Sequence, residues 1–315
     1  MACSGHGNRT APVKADQPSA ANTLNAVDFN ADSAYSHIAA QVGFGPRIPG
    51  SAPHAACVDY ITGKLRGYGA DTVIVSSSTA DNRRGGTVPV ANILARYNSG
   101  AARRVLLLAH YDTRPWADND PDEANRDKPV PGANDGASGV GVLLELARQM
   151  GAKNPAVGVD LLMVDAEDGG NDGDETSWCI GTQEWLRGNP YRGIVRPSYA
   201  VLLDMVGGEG AVFRREIISD HFARSVNDRV WAVASASGYA DRFVNASGGG
   251  VTDDHIFINR AGIPAIDIID AAHPATGSFP PAWHTVADDM PAISTATLKA
   301  VGQTVANLIY SEKAE

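Results

Sequence analysis

The chain has 315 residues, 43% hydrophobic and 20% charged, enough apolar material for one large core or two ordinary ones. Its 26 Lys and Arg against 36 Asp and Glu leave a net charge of −10, and the absence of any basic run or stripe argues against a nucleic-acid partner. No apolar stretch reaches the roughly 18 residues that a membrane-spanning helix needs.

The opening MACSGHGNRTAPVKADQPSAANT is small, polar and without apolar periodicity, so residues 1–30 read as a flexible lead ahead of one α/β domain spanning residues 31–315. Ala2-Cys3-Ser4 is similar to the end of a bacterial lipoprotein signal that lacks its apolar segment. On that reading Cys3 is a lipid anchor and the protein is periplasmic or membrane-anchored; an ordinary cytosolic N-terminus is the alternative. Residues 31–42 predict a helix capped by Asp32 or Ser33, and residues 53–68 a second helix ending at Gly69. Between them GFGPRIPGS is a Gly/Pro-rich turn. Residues 71–75 and 90–97 read as strands on either side of a polar loop, STADNRRGG.

Then comes the stretch around which the chain is organised. VLLLA (105–109) is a buried strand ending in His110 and Asp112. A polar, proline-punctuated loop and GANDGASG, carrying Asp135, lead into a helix over 138–150 with Val140, Leu143, Leu144 and Ala147 on one face. DLLMV (160–164) is a strand running into Asp165-Ala166-Glu167-Asp168, and YAVLL (199–203) is another ending at Asp204. Helices follow over 220–237 and 252–261, a strand over 264–269, and a closing helix over 293–310. Alternating strands and helices predict three layers: a central mixed, mostly parallel sheet with helices on both faces.

A parallel sheet brings strand ends to one edge, where open α/β folds place their ligands. There His110, Glu167-Asp168 and Asp204 would meet Asp135 and His284 of FPPAWHT. Singly each has an ordinary explanation: an isolated His is commonly structural, and Asp after a strand is a common helix N-cap. Together, desolvated carboxylates repel one another unless a cation joins them, and the nitrogen and oxygen donors suit zinc. Glu167 beside Asp168 in extended chain lets one carboxylate bind metal while the other faces the substrate as acid or base.

HYDT, GANDGASG, DAED, LLDMVGG, the DDH run and AWHT, in this order, resemble the zinc-dependent glutaminyl cyclases of the animal type and their bacterial relatives, a fold shared with zinc leucyl-type aminopeptidases. The resemblance runs from about Val42 to Tyr310. It implies Asp135, Asp168 and His284 as ligands of one zinc, Glu167 as proton shuttle, and Asp204 and Asp253 as a network around the substrate amide. Trp283 and Phe279 would line the pocket. The implied reaction converts N-terminal glutamine of peptides or proteins to pyroglutamate, releasing ammonia. Two departures stand out: Asp168 replaces the usual Glu ligand, and Asp267 of IPAIDII stands where the animal enzymes carry a His, either binding substrate or capping neighbouring structure. The alternative is a two-zinc aminopeptidase in which His110 and Asp204 hold a second metal, Asp135 bridges, and Glu167 activates water. Asp253, where those peptidases commonly have Ser, and Trp283 ahead of His284 favour the cyclase; a non-catalytic binding domain would have lost Glu167 or a ligand.

The three cysteines form an odd set, and Cys57 with Cys179 read as free buried thiols rather than a bridge. The acidic loop over 118–127 lacks the spacing of a calcium loop and reads as solvated chain flanking the site. His255 reads as a supporting residue, Trp185 as core, and Trp178 as a neighbour of the pocket.

Overall fold

In a computed structural model the described residues are 27–314; Cys3 and the lead over residues 1–26 lie outside them. Two helices, α1 (Ala31–Gly43) and α2 (Ala52–Gly67), precede the hairpin β1 (Thr72–Asp81) and β2 (Thr87–Tyr97). Then follow β3 (Arg104–His110), α3 (Ala137–Ala152), β4 (Gly158–Val164), α4 (Ile180–Arg187) and β5 (Pro197–Asp204). After these come β6 (Phe213–Arg215), α5 (Ile217–Ala236), β7 (Phe243–Ser247), α6 (Asp254–Arg260), β8 (Ala265–Ile269) and α7 (Thr295–Ser311).

Six strands form one mixed sheet in the order β1-β2-β4-β3-β5-β8, antiparallel across β1-β2-β4 and parallel from β4 through β8. The alternation along β3 shows why three layers result. Val105, Leu107 and Ala109 face a core shared with α1, α2, α3, α5 and α7, while Leu106 and Leu108 face a second core built with Trp185 of α4 and Ile258 of α6. Both faces are covered, so the central strands read as unbroken apolar runs. The packed chain begins at the first described residues: Phe29 is 1% exposed and packs in the larger core, its ring lying where any side chain at Gly302 would have to go.

Several expectations are corrected. The cap of α1 is Asn30, whose side chain accepts the Ser33 amide, rather than Asp32 or Ser33. β1 continues well past residue 75, because its Ser- and Thr-rich half is an exposed face that shows no apolar alternation. The first part of the polar loop, through Asp81, is therefore strand, and residues 82–86 turn, with Asn82 accepting the amides of Arg84 and Gly86. Short elements α4, β6 and β7 escaped the sequence patterns. Among the described residues no helix is long and apolar enough to cross a membrane.

Candidate active site and metal centre

The parallel register sets His110 of β3 beside Val164 of β4, and Asp204 of β5 beside Ile269 of β8. His110, Glu167, Asp168 and Asp204 therefore hang from one sheet edge, where the loops bring Asp135, Asp253 and His284 to meet them. The backbone is bent hard to deliver them. Among the described residues, four of the seven non-glycine positions with left-handed φ border this site: Ala166, Cys179, Met205 and His284. Gly136, with φ +87°, lets the loop pass close over β3, since a β-carbon there would stand 2.9 Å from both Asp112 O and His110 Cε1.

Two donor groups share Asp135. In the first, His284 Nε2 lies 3.1 Å from Asp168 Oδ1 and 3.6 Å from Asp135 Oδ2. In the second, His110 Nε2 lies 3.0 Å from Asp135 Oδ1 and 3.1 Å from Asp204 Oδ1. Each trio offers ligand atoms within 4.8 Å of one another. Asp168 Oδ2 is buried without any hydrogen-bond donor, a lone pair left for a cation. Carboxylate and imidazole donors converging in a closed, buried space fit zinc.

Glu167 points away from the first trio. It meets Cys179, whose thiol donates to Oε1 at 3.4 Å, and forms a third group with Cys179 and Asp253. The two neighbouring acids are held by one carboxylate behind them: Asp112 accepts the amides of Glu167 and Asp168 at 3.1 and 3.2 Å. Arg114 Nη1 donates to the Asp168 carbonyl at 3.0 Å.

Burial is the leading cause of the site's proton affinities. It pushes Glu167 and Asp253 well above the ordinary carboxyl range, with neighbouring acids adding to the rise, and raises Asp168 to about 6. Asp204 is also raised. Burial pushes Asp135 upward in the same way, but the hydrogen bond and charge of His110 win and hold it low. Both histidines lose to burial but gain more from facing carboxylates, so His110 and His284 are raised.

A cavity of about 410 Å³ opens over these groups, bounded by Asp135, Glu167, Asp168, Asp204, Asp253 and His284, with Trp178, Phe279 and Trp283 as aromatic walls. Trp283 stacks on the His284 ring at a centroid distance of 3.9 Å, and Phe279 tilts against Trp283 at 4.1 Å. Asp253 also caps α6, accepting the Asp254 amide, so the ordinary explanation of an Asp at a helix start holds alongside the chemical one. Asp267 lies deeper. It is fully buried, lies outside the cavity lining, and stands behind Asp253 in carboxyl-to-carboxyl contact. It stands in the middle of β8 rather than at its end. His255 is buried against Glu216 at 3.1 Å, and Trp185 is core. Cys57 and Cys179 are free and buried. The thiol contact to Glu167 was not anticipated; only its place in TSWCIGTQEW after DAED pointed towards the site.

Residues 92–309 match the model of peptidase family M28. The glutaminyl-peptide cyclotransferase-like protein of Bos taurus is 25% identical over 77% of this chain, which spans 66% of that relative's length. The crystal structure of Bacteroides thetaiotaomicron glutaminyl cyclase bound to N-acetylhistamine superposes with a TM-score of 0.88 at 46% identity, covering 92% of this chain and 100% of that one. A leucine aminopeptidase precursor from the same organism superposes with a TM-score of 0.87 at 45% identity, covering 92% of this chain and 99% of that one.

Proposed function

The chain belongs to peptidase family M28, and from that premise we propose that it is a zinc-dependent glutaminyl-peptide cyclotransferase acting on peptides and proteins with N-terminal glutamine. The observation that carries this reading is the acid set beyond the metal donors: Glu167 and Asp253 share one buried group at the cavity floor, apart from the Asp135–Asp168–His284 trio. Such a pair suits a reaction that moves a proton between two nitrogens of one substrate. The glutaminyl cyclases of Bacteroides thetaiotaomicron and Tannerella forsythia, 46% and 44% identical, support it.

One zinc held by Asp135, Asp168 and His284 would supply Lewis acidity to the γ-carbonyl of the glutamine. The chain's own groups do the rest. The aromatic walls hold the glutamine side chain folded so that its α-nitrogen stands against the carbonyl carbon of the γ-carboxamide, converting the attack into an intramolecular step. Glu167 accepts the proton released as the α-nitrogen forms its bond to that carbon. It returns the proton to the nitrogen of the γ-carboxamide as the carbon–nitrogen bond breaks and ammonia leaves. Asp204 and Asp253 orient the substrate's amide and amine. No water enters the balance, which suits the buried floor.

The second reading rests on the His110–Asp135–Asp204 trio, a second place for a cation. With two metals and Glu167 activating water, the same frame is an aminopeptidase. Mass spectrometry of a Gln-Ala peptide after incubation decides: loss of the mass of ammonia with the peptide intact supports the cyclase, and release of free N-terminal residues from Gln- and Leu-initiated peptides overturns it. A lipid anchor at Cys3 and a periplasmic site remain part of the proposal, tested by fatty-acid labelling of the native protein; absence of label at Cys3 removes them.

A further inference from the structure

The turn GFGPRIPGS has no part in the chemistry above, yet its Arg47 is fully buried and reaches the metal loop. Its guanidinium meets no carboxylate within ion-pair distance among the described residues. It is spent instead on carbonyls: Nε donates to Tyr111 O at 3.0 Å, Nη1 to Pro131 O at 2.6 Å and Nη2 to Gly132 O at 2.6 Å. Those carbonyls stand at the two ends of the loop between β3 and α3, which Arg47 therefore closes. Glycine at 132 is what permits the approach, since a β-carbon there would lie 2.8 Å from Nη2 and 2.7 Å from Asp135 O.

Asp288 grips the same loop from the opposite side of the sequence. Its Oδ1 accepts the Asn134 amide at 2.8 Å, its Oδ2 the Asp135 amide at 3.0 Å, and its carbonyl the Ala133 amide at 3.0 Å. Asp288 is 1% exposed and lies on the loop that carries His284. Carbonyls of residues 131 and 132 and amides of residues 133 to 135 are thus all taken up by two residues. One clamp joins the loop of Asp135 to that of His284, and through Tyr111 it abuts Asp112, which holds Glu167 and Asp168.

We infer that Arg47 and Asp288 are positioning residues that set Asp135 in ligating geometry before any metal arrives, so that they govern zinc affinity without touching the ion. The inference rests on the metal centre proposed above but not on the choice between cyclase and peptidase. Supporting groups of this kind are typically worth about 10- to 100-fold in metal affinity.

The test is the zinc dissociation constant of the metal-stripped full chain, measured against a chromophoric chelator, beside its thermal midpoint. Variants are Arg47→Lys, Arg47→Met, Asp288→Asn and, as a remote core control, Phe29→Leu. Arg47→Lys and Asp288→Asn should each weaken zinc by about 10-fold or more in protein that remains folded. Phe29→Leu should lower the midpoint and leave affinity unchanged. Lysine keeps the charge but not the three-way fork, so its loss reports geometry even if Arg47→Met does not fold. Unchanged zinc affinity in folded Arg47→Lys and Asp288→Asn overturns the clamp, as does an equal weakening in Phe29→Leu. Wild-type protein that takes up no zinc is a distinct failure, removing the centre itself.

Discussion

The two edges of the sheet bury carboxylates in opposite ways. Where the parallel strands begin, Asp160 is fully buried and fully answered: Oδ1 accepts from Arg104 Nε and Nη2 at 3.0 and 2.6 Å, and Oδ2 from the Tyr191 hydroxyl at 3.0 Å. Arg104 gives its remaining donors to the carbonyls of Tyr97 and Asn98. Where the strands end, Asp135, Glu167, Asp168, Asp204 and Asp253 have chiefly His110 and His284 as cationic neighbours, and Asp168 Oδ2 has no donor at all. The first edge is a finished structural network. The second is short of positive charge, and that deficit is the physical signature of a metal centre, since buried acids without a cation cost free energy that nothing else in the fold returns.

The contrast is broken most sharply by Glu167→Gln. It removes a proton carrier and none of the donors of the Asp135–Asp168–His284 trio, so turnover should fall by at least about 100-fold while zinc content stays at the wild-type level. Loss of zinc together with activity would move Glu167 into the metal's own coordination. At the opposite edge, Asp160→Leu strands the Arg104 guanidinium without its partner. Breaking a buried pair from one side costs about 3–5 kcal/mol, so chemical denaturation should show a large loss of stability with zinc affinity unchanged.

A smaller effect separates the edges by pH. In the metal-free protein, burial lifts Asp168 and Asp254 from 3.8 to about 6. A carboxyl raised by folding contributes stability that is complete below its unfolded value and is lost as pH climbs through the folded one. His110 and His284, also raised, act in the same direction; Asp135, held low, runs against them. The stripped protein should therefore weaken between pH 4 and 6 and beyond, and saturating zinc should remove most of that slope. A slope indifferent to zinc would show that the titrating groups lie outside the metal centre.

The strands were legible because both faces of β3, β4 and β5 are buried, leaving short apolar runs with acids at their ends. That pattern also led to His110, Glu167, Asp168 and Asp204. Asp135 and His284 were read as loop residues that would join that edge, while Asp253 came from motif resemblance, since loops have no periodicity to read. Missing from view were elements too short for a period, such as α4, and an edge strand with an exposed polar face, β1. Hidden for a different reason were contacts made by residues distant in sequence: Arg47 and Asp288 against residues 131–135, and Cys179 against Glu167. Asp267 shows the limit in the other direction. Its neighbours in IPAIDII suggest a strand, but nothing in the string tells that this acid faces another acid rather than substrate.

That acid supplies the smallest expected effect and the most discriminating one. Asp267 stands against Asp253 in a carboxyl-to-carboxyl hydrogen bond, which needs a proton between the two groups, with His255 Nδ1 3.8 Å from its Oδ2 and beyond hydrogen-bond distance. Burial, reinforced by the charges of Asp253, Asp204 and Glu216, keeps Asp267 well above the ordinary range. A protonated carboxyl and a carboxamide have nearly the same shape, and both donate one hydrogen towards Asp253. Asp267→Asn should therefore change stability by less than about 1 kcal/mol, where the same chemical change at Asp160 leaves a buried guanidinium facing a neutral group and costs several times more. It should also lower the proton affinity of Asp253, which no longer shares a proton, and shift the acid limb of the pH–rate profile downward. Equal destabilisation by Asp160→Asn and Asp267→Asn would mean that the two edges bury charge by the same rule, and that the shortage of cations at the site is not what distinguishes it.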